Sequence, residues 1–524
     1  MPRLPHGTEV TPATLDNARS AVADRIADIP LGPAIVKPVD RRRFDLLFLD
    51  LQDDPNNLLP ESQQTRDALV ELGEAMADQG ADDPTGDTKN LSAAYTYFGQ
   101  FVDHDITFET SSATGSQLTA DNLKPLPLNR IRQETHNVRT ALLELDSVYG
   151  LPSERDPQPN SPKMRIGEVQ PVPANTRPPG KDDFNDLPRE GPSVDVVHDR
   201  AALIGDPRND ENLIIAQLHL AFLRTHNRLV DEMDPPNRFR RAKRRLRRHY
   251  QHIVLHDFLK RIADPQIVDD TIQQNRVYDP DFDNFFLPLE YSVAAFRFGH
   301  SMVRAKYNYN LNFPGATLAQ LFTFTAFSGE MFGLPTLPQN WIIQWERLFE
   351  GGQFFNKARR IDTELVEPLE HLTIVSGQEE GGLAAKLAVR NLLRGYLLRM
   401  PTGQAVAGAL GIPVLTEDQI KQGAASDKQR QVLEDAGFLV RTPLWYYILA
   451  EAAVLGKEEG QDQEGGQRLG PVGSTIVAEV LVGLIRRSPD SILDPGANWQ
   501  PNLPSAQPGT FTLPDLLRFA GVLT

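Results

Sequence analysis

The chain has 524 residues, 40% of them hydrophobic and 24% charged, which is ample apolar material for a large packed core. Its formal net charge is −16, and that balance argues against nucleic acid as a main partner, because phosphate recognition needs a dominant positive field. There is no cysteine, which excludes disulfides, iron–sulfur clusters and any thiolate-held metal, and leaves the redox compartment open.

The opening MPRLPHGTEV lacks the apolar run of a secretory leader. The most apolar late run, STIVAEVLVGLIRR, is too short to cross a bilayer and carries Glu479. The expectation is a soluble protein without a membrane span, cytoplasmic by default, with signal-independent export left open. Residues 1–85 read as a polar, proline-bearing N-terminal extension, and 86–524 as one catalytic domain. From Leu91 to Thr110 the text becomes dense and aromatic, and Tyr97, Phe98, Phe101, Val102 and Ile106 fall at helical spacing as one buried stripe. Residues 151–193, rich in proline with no periodicity, read as a surface excursion.

Helical patterns dominate afterwards, in ENLIIAQLHLAFLRTHNRLVDEM, in RFRRAKRRLRRHYQHIVLHDFLKRI, and around LAVRNLLRGYLLRM and PLWYYILAEAAVLG. Residues 457–467 form a charged low-complexity loop. Strand signals are short and sparse, and no internal repeat is visible. The fold class is mainly α, with a large single core and few short β-strands.

Phosphate-loop, dinucleotide, nucleophile-elbow and HExxH motifs are missing. Three histidine- or arginine-bearing segments remain. In GQFVDHDITFE, His104 stands between Asp103 and Asp105 on the aromatic helix. It reads either as a hydrogen-bonded core histidine or as a general base in a dry pocket. In AAFRFGHSMVR, His300 follows Phe296, Phe298 and Gly299, with Arg297 three residues earlier. It too reads as a satisfied core residue, or as an imidazole ligand beside apolar walls and a cation. In GDPRNDENLIIAQLHLAF, Arg208 and Glu211 precede an amphipathic helix. Asp206, Asn209, Asp210 or Glu211 could serve as its cap, but an arginine there opposes the helix dipole.

Taken in order, these segments resemble the animal-type haem peroxidases of the peroxidase–cyclooxygenase superfamily, in a bacterial member of the myeloperoxidase- and peroxinectin-like group. The family's glutamine followed by Asp-His-Asp is matched by Gln100, Asp103, His104 and Asp105. Its arginine with a glutamate three residues on is matched by Arg208 and Glu211, its REHNRL by LRTHNRL, and its FRYGH by FRFGH ending at His300. A downstream asparagine and arginine correspond to Asn391 and Arg394. The resemblance implies the helical haem peroxidase fold and a haem b with His300 as iron ligand. It implies Asn391 bonding that histidine through its carbonyl and Arg394 serving a propionate; Arg297, by its place three residues before His300, reads as a further cation for the propionates. Asp103 and Glu211 are then the acids that form esters with the haem. His104, Arg208 and Gln100 are implied as the catalytic groups, acting on hydrogen peroxide, with small organic donors or halides as reductants.

The segment NVRTALLELDSVYG is spaced like the family's calcium loop, with Thr140, the Leu142 carbonyl, Glu144 and Asp146 as donors and Asp105 as the distant ligand. Glu144 replaces the usual aspartate. His249, His252 and His256 share a helical face but read as crowded core histidines rather than a zinc site. The basic run Arg240–Arg248 reads as a solvated face or an intramolecular partner for acidic loops. The alternative function is a fatty-acid dioxygenase of the cyclooxygenase-like branch, in which a tyrosine lies three residues before the proximal histidine. Arg297 occupies that position here.

Overall fold

The computed structural model describes residues 43–524 apart from 79–83, 110–117, 119, 151–160, 173–175, 195–197, 281–284, 327–330, 350–354, 373–381, 458–463, 495 and 497. Helix α1 (Gln63–Ala75) starts at Ser62, whose hydroxyl accepts from Thr65 N–H at 3.0 Å. Helix α2 (Ala94–Ile106) buries the predicted stripe, with Tyr97, Phe98, Phe101, Val102 and Ile106 all inside. Helix α3 (Leu213–Asp231) is capped by Asn212, which accepts from Ile215 N–H at 3.0 Å. The Phe101 and Phe222 rings stack at 4.4 Å and fasten α2 to α3.

Helix α4 (Arg238–Ile253) continues through a π-helical turn, Val254–Phe258. Its Tyr250 sets a ring edge against both stacked phenylalanines, 6.1 Å from Phe101 and 5.8 Å from Phe222. Helix α5 (Leu387–Leu397) packs on α1. That contact needs Gly73, because a Cβ there would stand 2.7 Å from the Val389 backbone. Helix α6 (Leu444–Leu455) is almost wholly buried beside α7 (Pro471–Arg487). The α7 N-terminus is closed by Glu451, which accepts from Val472 and Gly473 N–H groups. Strands are minor, forming four two-stranded sheets among the described residues. The mainly α architecture is as the periodicity predicts.

Several local readings look different in three dimensions. Residues 1–42 lie outside the described residues, but Phe44, Leu46, Leu69, Leu72 and Met76 belong to the same core as α2 and α3. Buried Glu290 ties this segment down, accepting from Leu47 N–H at 2.7 Å and Phe48 N–H at 3.0 Å. Polar composition hid that anchoring, since the contacts are made by backbone amides. The described part of 151–193 is irregular, held by isolated bridges such as Gly167–Asp186 and Gln170–Pro338. Most of the charged stretch 457–467 lies outside the described residues. His249 donates to Arg245 O and accepts from Asn502 N–H, so it is a satisfied core histidine. Arg244 and Arg247 of the basic helix pair with Asp490, and Arg245 holds Asn502, which makes this helix an intramolecular clamp. No described helix is long and apolar enough to cross a membrane.

Candidate active site

One cavity of about 270 Å³ collects the sequence-predicted groups from separate elements. Gln100, Asp103 and His104 come from α2, Arg208 and Glu211 from the turn before α3, Arg297 and His300 from Ala295–His300, and Arg394 from α5. Phe258, Phe296, Phe298, Leu318 and Phe322 supply apolar walls. Asn391 stands behind His300, within hydrogen-bond reach.

His104 is 4% exposed, and burial together with the Arg208 charge holds its pKa below the ordinary imidazole value. It is therefore neutral at pH 7. Its Nδ1–H donates to Asn209 Oδ1 at 2.8 Å, which leaves Nε2 without a proton. Arg208 is fixed on several sides. Its Nε and a terminal nitrogen donate to Asp206, the guanidinium also donates to the Thr107 and His104 carbonyls, and it lies 4.4 Å over the Phe108 ring. Asp206 is wholly buried, yet the guanidiniums of Arg139 and Arg208 outweigh desolvation and hold its carboxyl below the carboxylate range. Asp206 caps only the short turn Pro207–Asp210, and Asp210 pairs with Arg189 at 2.6 Å. The predicted cap of α3 is thus corrected to Asn212. Gln100 donates to the Glu211 carboxylate and accepts from Asn212.

On the other histidine the local backbone departs from a plain helix. A π-helical turn, Glu290–Ala294, runs directly into the 3₁₀ turn Ala295–His300, so His300 is a terminal residue rather than a mid-helix one. Arg297 donates to Asn391 Oδ1 at 2.9 Å and to the Ser292 carbonyl, and the Asn391 amide nitrogen donates to His300 Nδ1 at 2.8 Å. The sequence reading had the Asn391 carbonyl on His300. The guanidinium, which can only donate, takes the carbonyl instead. Arg394 is likewise in a salt bridge with Glu109 rather than waiting for a propionate.

The loop predicted to bind calcium packs against Asp105 through Leu145 and Ser147, neither of which is a predicted donor. The Asp105 carboxylate is fully buried and accepts from Leu145 N–H, Ser147 N–H and the Ser147 hydroxyl. Burial, followed by repulsion from Asp146, raises the Asp105 carboxyl above the usual range. Asp146 Oδ1 is buried and accepts no hydrogen bond among the described residues, although Arg139 stands 3.6 Å away. The other donors turn inward, with Thr140 Oγ1 on Glu144 at 2.8 Å and Glu144 N–H on the Leu142 carbonyl at 2.9 Å. Among the described residues no three acidic or histidine side chains are gathered as a formed metal cluster.

Sequence reasoning missed Asp206 and Asn209 as site residues, counting them only as capping candidates, and it passed over Glu109, Arg390 and His219. Arg390 was within reach of pattern arguments, lying one helical turn before Arg394 in the cavity wall.

The sequence matches the animal haem peroxidase family over residues 127–394, just over half of the chain, and the protein belongs to that family. A peroxidase-like protein of Margaritifera margaritifera is 28% identical over 263 residues, covering 40% of this chain and 31% of that relative. Thyroid peroxidase of Canis lupus familiaris is 25% identical over 272 residues, covering 40% of this chain and 28% of its own. The alignments thus span about a third or less of these relatives. Peroxidase A of Dictyostelium discoideum shares the fold, with a TM-score of 0.53 at 17% identity over 87% of this chain and 89% of that one. A fatty acid alpha-dioxygenase of Oryza sativa does too, with a TM-score of 0.55 at 13% identity over 89% of this chain and 80% of its own.

Asp206→Asn tests the frame of this site. Replacing the anion leaves two guanidiniums facing a neutral amide, so unfolding in urea should show a loss of about 3–5 kcal/mol. The stability that Asp206 contributes is present above the unfolded carboxylate range and lost as pH falls through its depressed folded value, so the parent should also unfold more steeply in acid than the variant. A loss under about 1 kcal/mol, the scale of a surface pair, would mean that the cluster does not hold the turn.

Proposed function

We propose that the protein is a haem peroxidase of the myeloperoxidase- and peroxinectin-like group, taking hydrogen peroxide as oxidant and small organic donors or halides as reductants. The observation that carries this reading is the meeting of a neutral His104, a clamped Arg208 and His300 in one aromatic-walled cavity. The residues fit a haem on three counts. The walls are apolar, imidazoles and arginines are both present, and a Cβ on Gly299 beside His300 would meet nothing within 4 Å, so the cavity stays open there.

His300 would hold the iron, and bound haem would supply the two-electron redox chemistry with peroxide. To hold iron through its other nitrogen, His300 would carry its proton on Nδ1, and Asn391 would then turn its carbonyl to His300 and free Arg297 to serve the haem's acidic groups. Arg394 would serve a propionate by exchanging its Glu109 partner for it. With haem bound, His104 Nε2 would take a proton from hydrogen peroxide and return it to the oxygen that departs as water. Arg208 stabilises the charge that develops as that bond breaks, and Gln100 orients the cavity's polar edge against Glu211. The dioxygenase alternative lacks its tyrosine, since Arg297 fills that position and is engaged with Asn391.

Two accessory features belong to the same reading. Calcium, held by Asp105, Thr140, the Leu142 carbonyl, Glu144 and Asp146, would relieve the repulsion between buried acids and satisfy Asp146 Oδ1. Asp103 and Glu211 line the cavity and would form ester links to the haem under peroxide.

With haem bound, His104→Ala should slow the peroxide reaction by ~10²–10⁴-fold in stopped-flow absorbance, and Arg208→Ala should slow it by a comparable factor. Rates within a few-fold of the parent in either variant would reject the assigned roles. The accessory features are read separately on the haem-loaded protein. Elemental analysis should find one calcium per chain, and acid–butanone extraction after peroxide treatment should leave haem on peptides containing Asp103 or Glu211. Active protein without calcium, or complete haem extraction, would remove the corresponding feature and leave the peroxidase reading standing.

A further inference from the structure

Asn209 lies on the turn Pro207–Asp210, wholly buried, with its side chain between two imidazoles. Its Oδ1 accepts from His104 Nδ1 at 2.8 Å, and its Nδ2 donates to His219 Nδ1 at 3.0 Å. His219, on α3, is itself fully buried with the Phe101 ring 6.1 Å away, and its Nε2 meets no hydrogen-bond partner among the described residues. Burial drives the His219 pKa down to about 3, so it is a neutral ring with one proton to place.

A carboxamide has one accepting end and one donating end, so it couples the tautomers of the rings on either side. With Oδ1 toward His104, that ring carries its proton on Nδ1 and offers a bare Nε2, and His219 accepts at Nδ1. If the amide turned over, both tautomers would invert. His104 would then present Nε2–H to the cavity and could not take a proton there. Either orientation satisfies both Nδ1 atoms, so the working one depends on His219 keeping Nδ1 as an acceptor.

We propose that Asn209 is a positioning residue of the distal site, its bridge to His219 holding His104 in the tautomer whose Nε2 can accept a proton. The inference rests on the peroxidase reading for its consequence but not for its geometry. Outer partners that orient a functional imidazole typically change activity by ~10–100-fold when lost.

The test uses haem-loaded protein with ¹⁵N-labelled histidine, in the diamagnetic ferrous carbon monoxide form, and long-range ¹H–¹⁵N correlation spectra that read each ring's tautomer. The parent should show His104 protonated on Nδ1 and His219 on Nε2. Asn209→Leu, which removes both hydrogen bonds at similar size, should give His104 a mixture of tautomers and slow the peroxide reaction ~10–100-fold with haem content unchanged. Asn209→Asp keeps the acceptor for His104 and should restore both the Nδ1–H tautomer and a rate within a few-fold of the parent. His219→Phe should shift the His104 tautomer in the same direction as Asn209→Leu. A parent with His104 protonated on Nε2, or an Asn209→Leu protein with the parent's tautomer and rate, overturns the proposal. Equal slowing in the Leu and Asp variants without a tautomer change also overturns it, because packing alone would then explain the loss. A parent with the Nδ1–H tautomer but no reaction with peroxide would support the lock and reject the peroxidase reading instead.

Discussion

The site depends on one buried carboxylate. Asp206 accepts from Arg139 and from Arg208, and its amide donates to the Ser147 carbonyl, so two segments distant in sequence, 139–147 and 206–208, meet at one anion. Arg139 also reaches the Gly205 carbonyl and stands beside Asp146, while Arg208 reaches back to the carbonyls that end α2. A buried anion between two cations is tolerable only with its partners in place, because an unpaired charge at that depth would be expelled or neutralised. The same requirement that keeps Asp206 charged therefore fixes where Arg208 points and how the 140–147 loop meets α2.

From that frame the distal geometry follows. The turn Pro207–Asp210 starts at Asp206, carries Arg208 into the cavity and Asn209 behind His104, and hands over to α3 at Asn212. The Phe101–Phe222 stack then sets the distance between α2 and α3. Chemistry and packing are interleaved residue by residue along α2, where Phe98, Phe101 and Val102 face the core while Gln100, Asp103 and His104 line the cavity. The family match begins at residue 127, so α2 lies outside it, and the fold is what brings His104 to the matched residues.

Much of this was legible in the sequence because it is written in local periodicity. The α2 stripe, the amphipathic α3 and the aromatic setting of His300 are patterns of three to seven residues, and each corresponds to an element or wall seen here. What could not be read was the choice of hydrogen-bond partner among several in reach. Asn391 gives its carbonyl to Arg297 because a guanidinium cannot accept, and Arg394 finds Glu109, far away in sequence. Asn209 looked like a capping residue by type, and its role appears only once His104 and His219 are seen on either side of it. The anchoring of residues 43–48 was invisible because Glu290 grips backbone, which has no composition signal.

We propose that His300 is the protein's hold on haem iron, and the most direct measurement is haem binding by His300→Ala. The parent, expressed with ample haem, should purify with an intense Soret band and stoichiometric iron, and the band should change when hydrogen peroxide is added. His300→Ala, folded to the same circular dichroism spectrum, should carry little or no iron and lose that band. Stoichiometric haem with an unaltered Soret band in the variant would contradict the account.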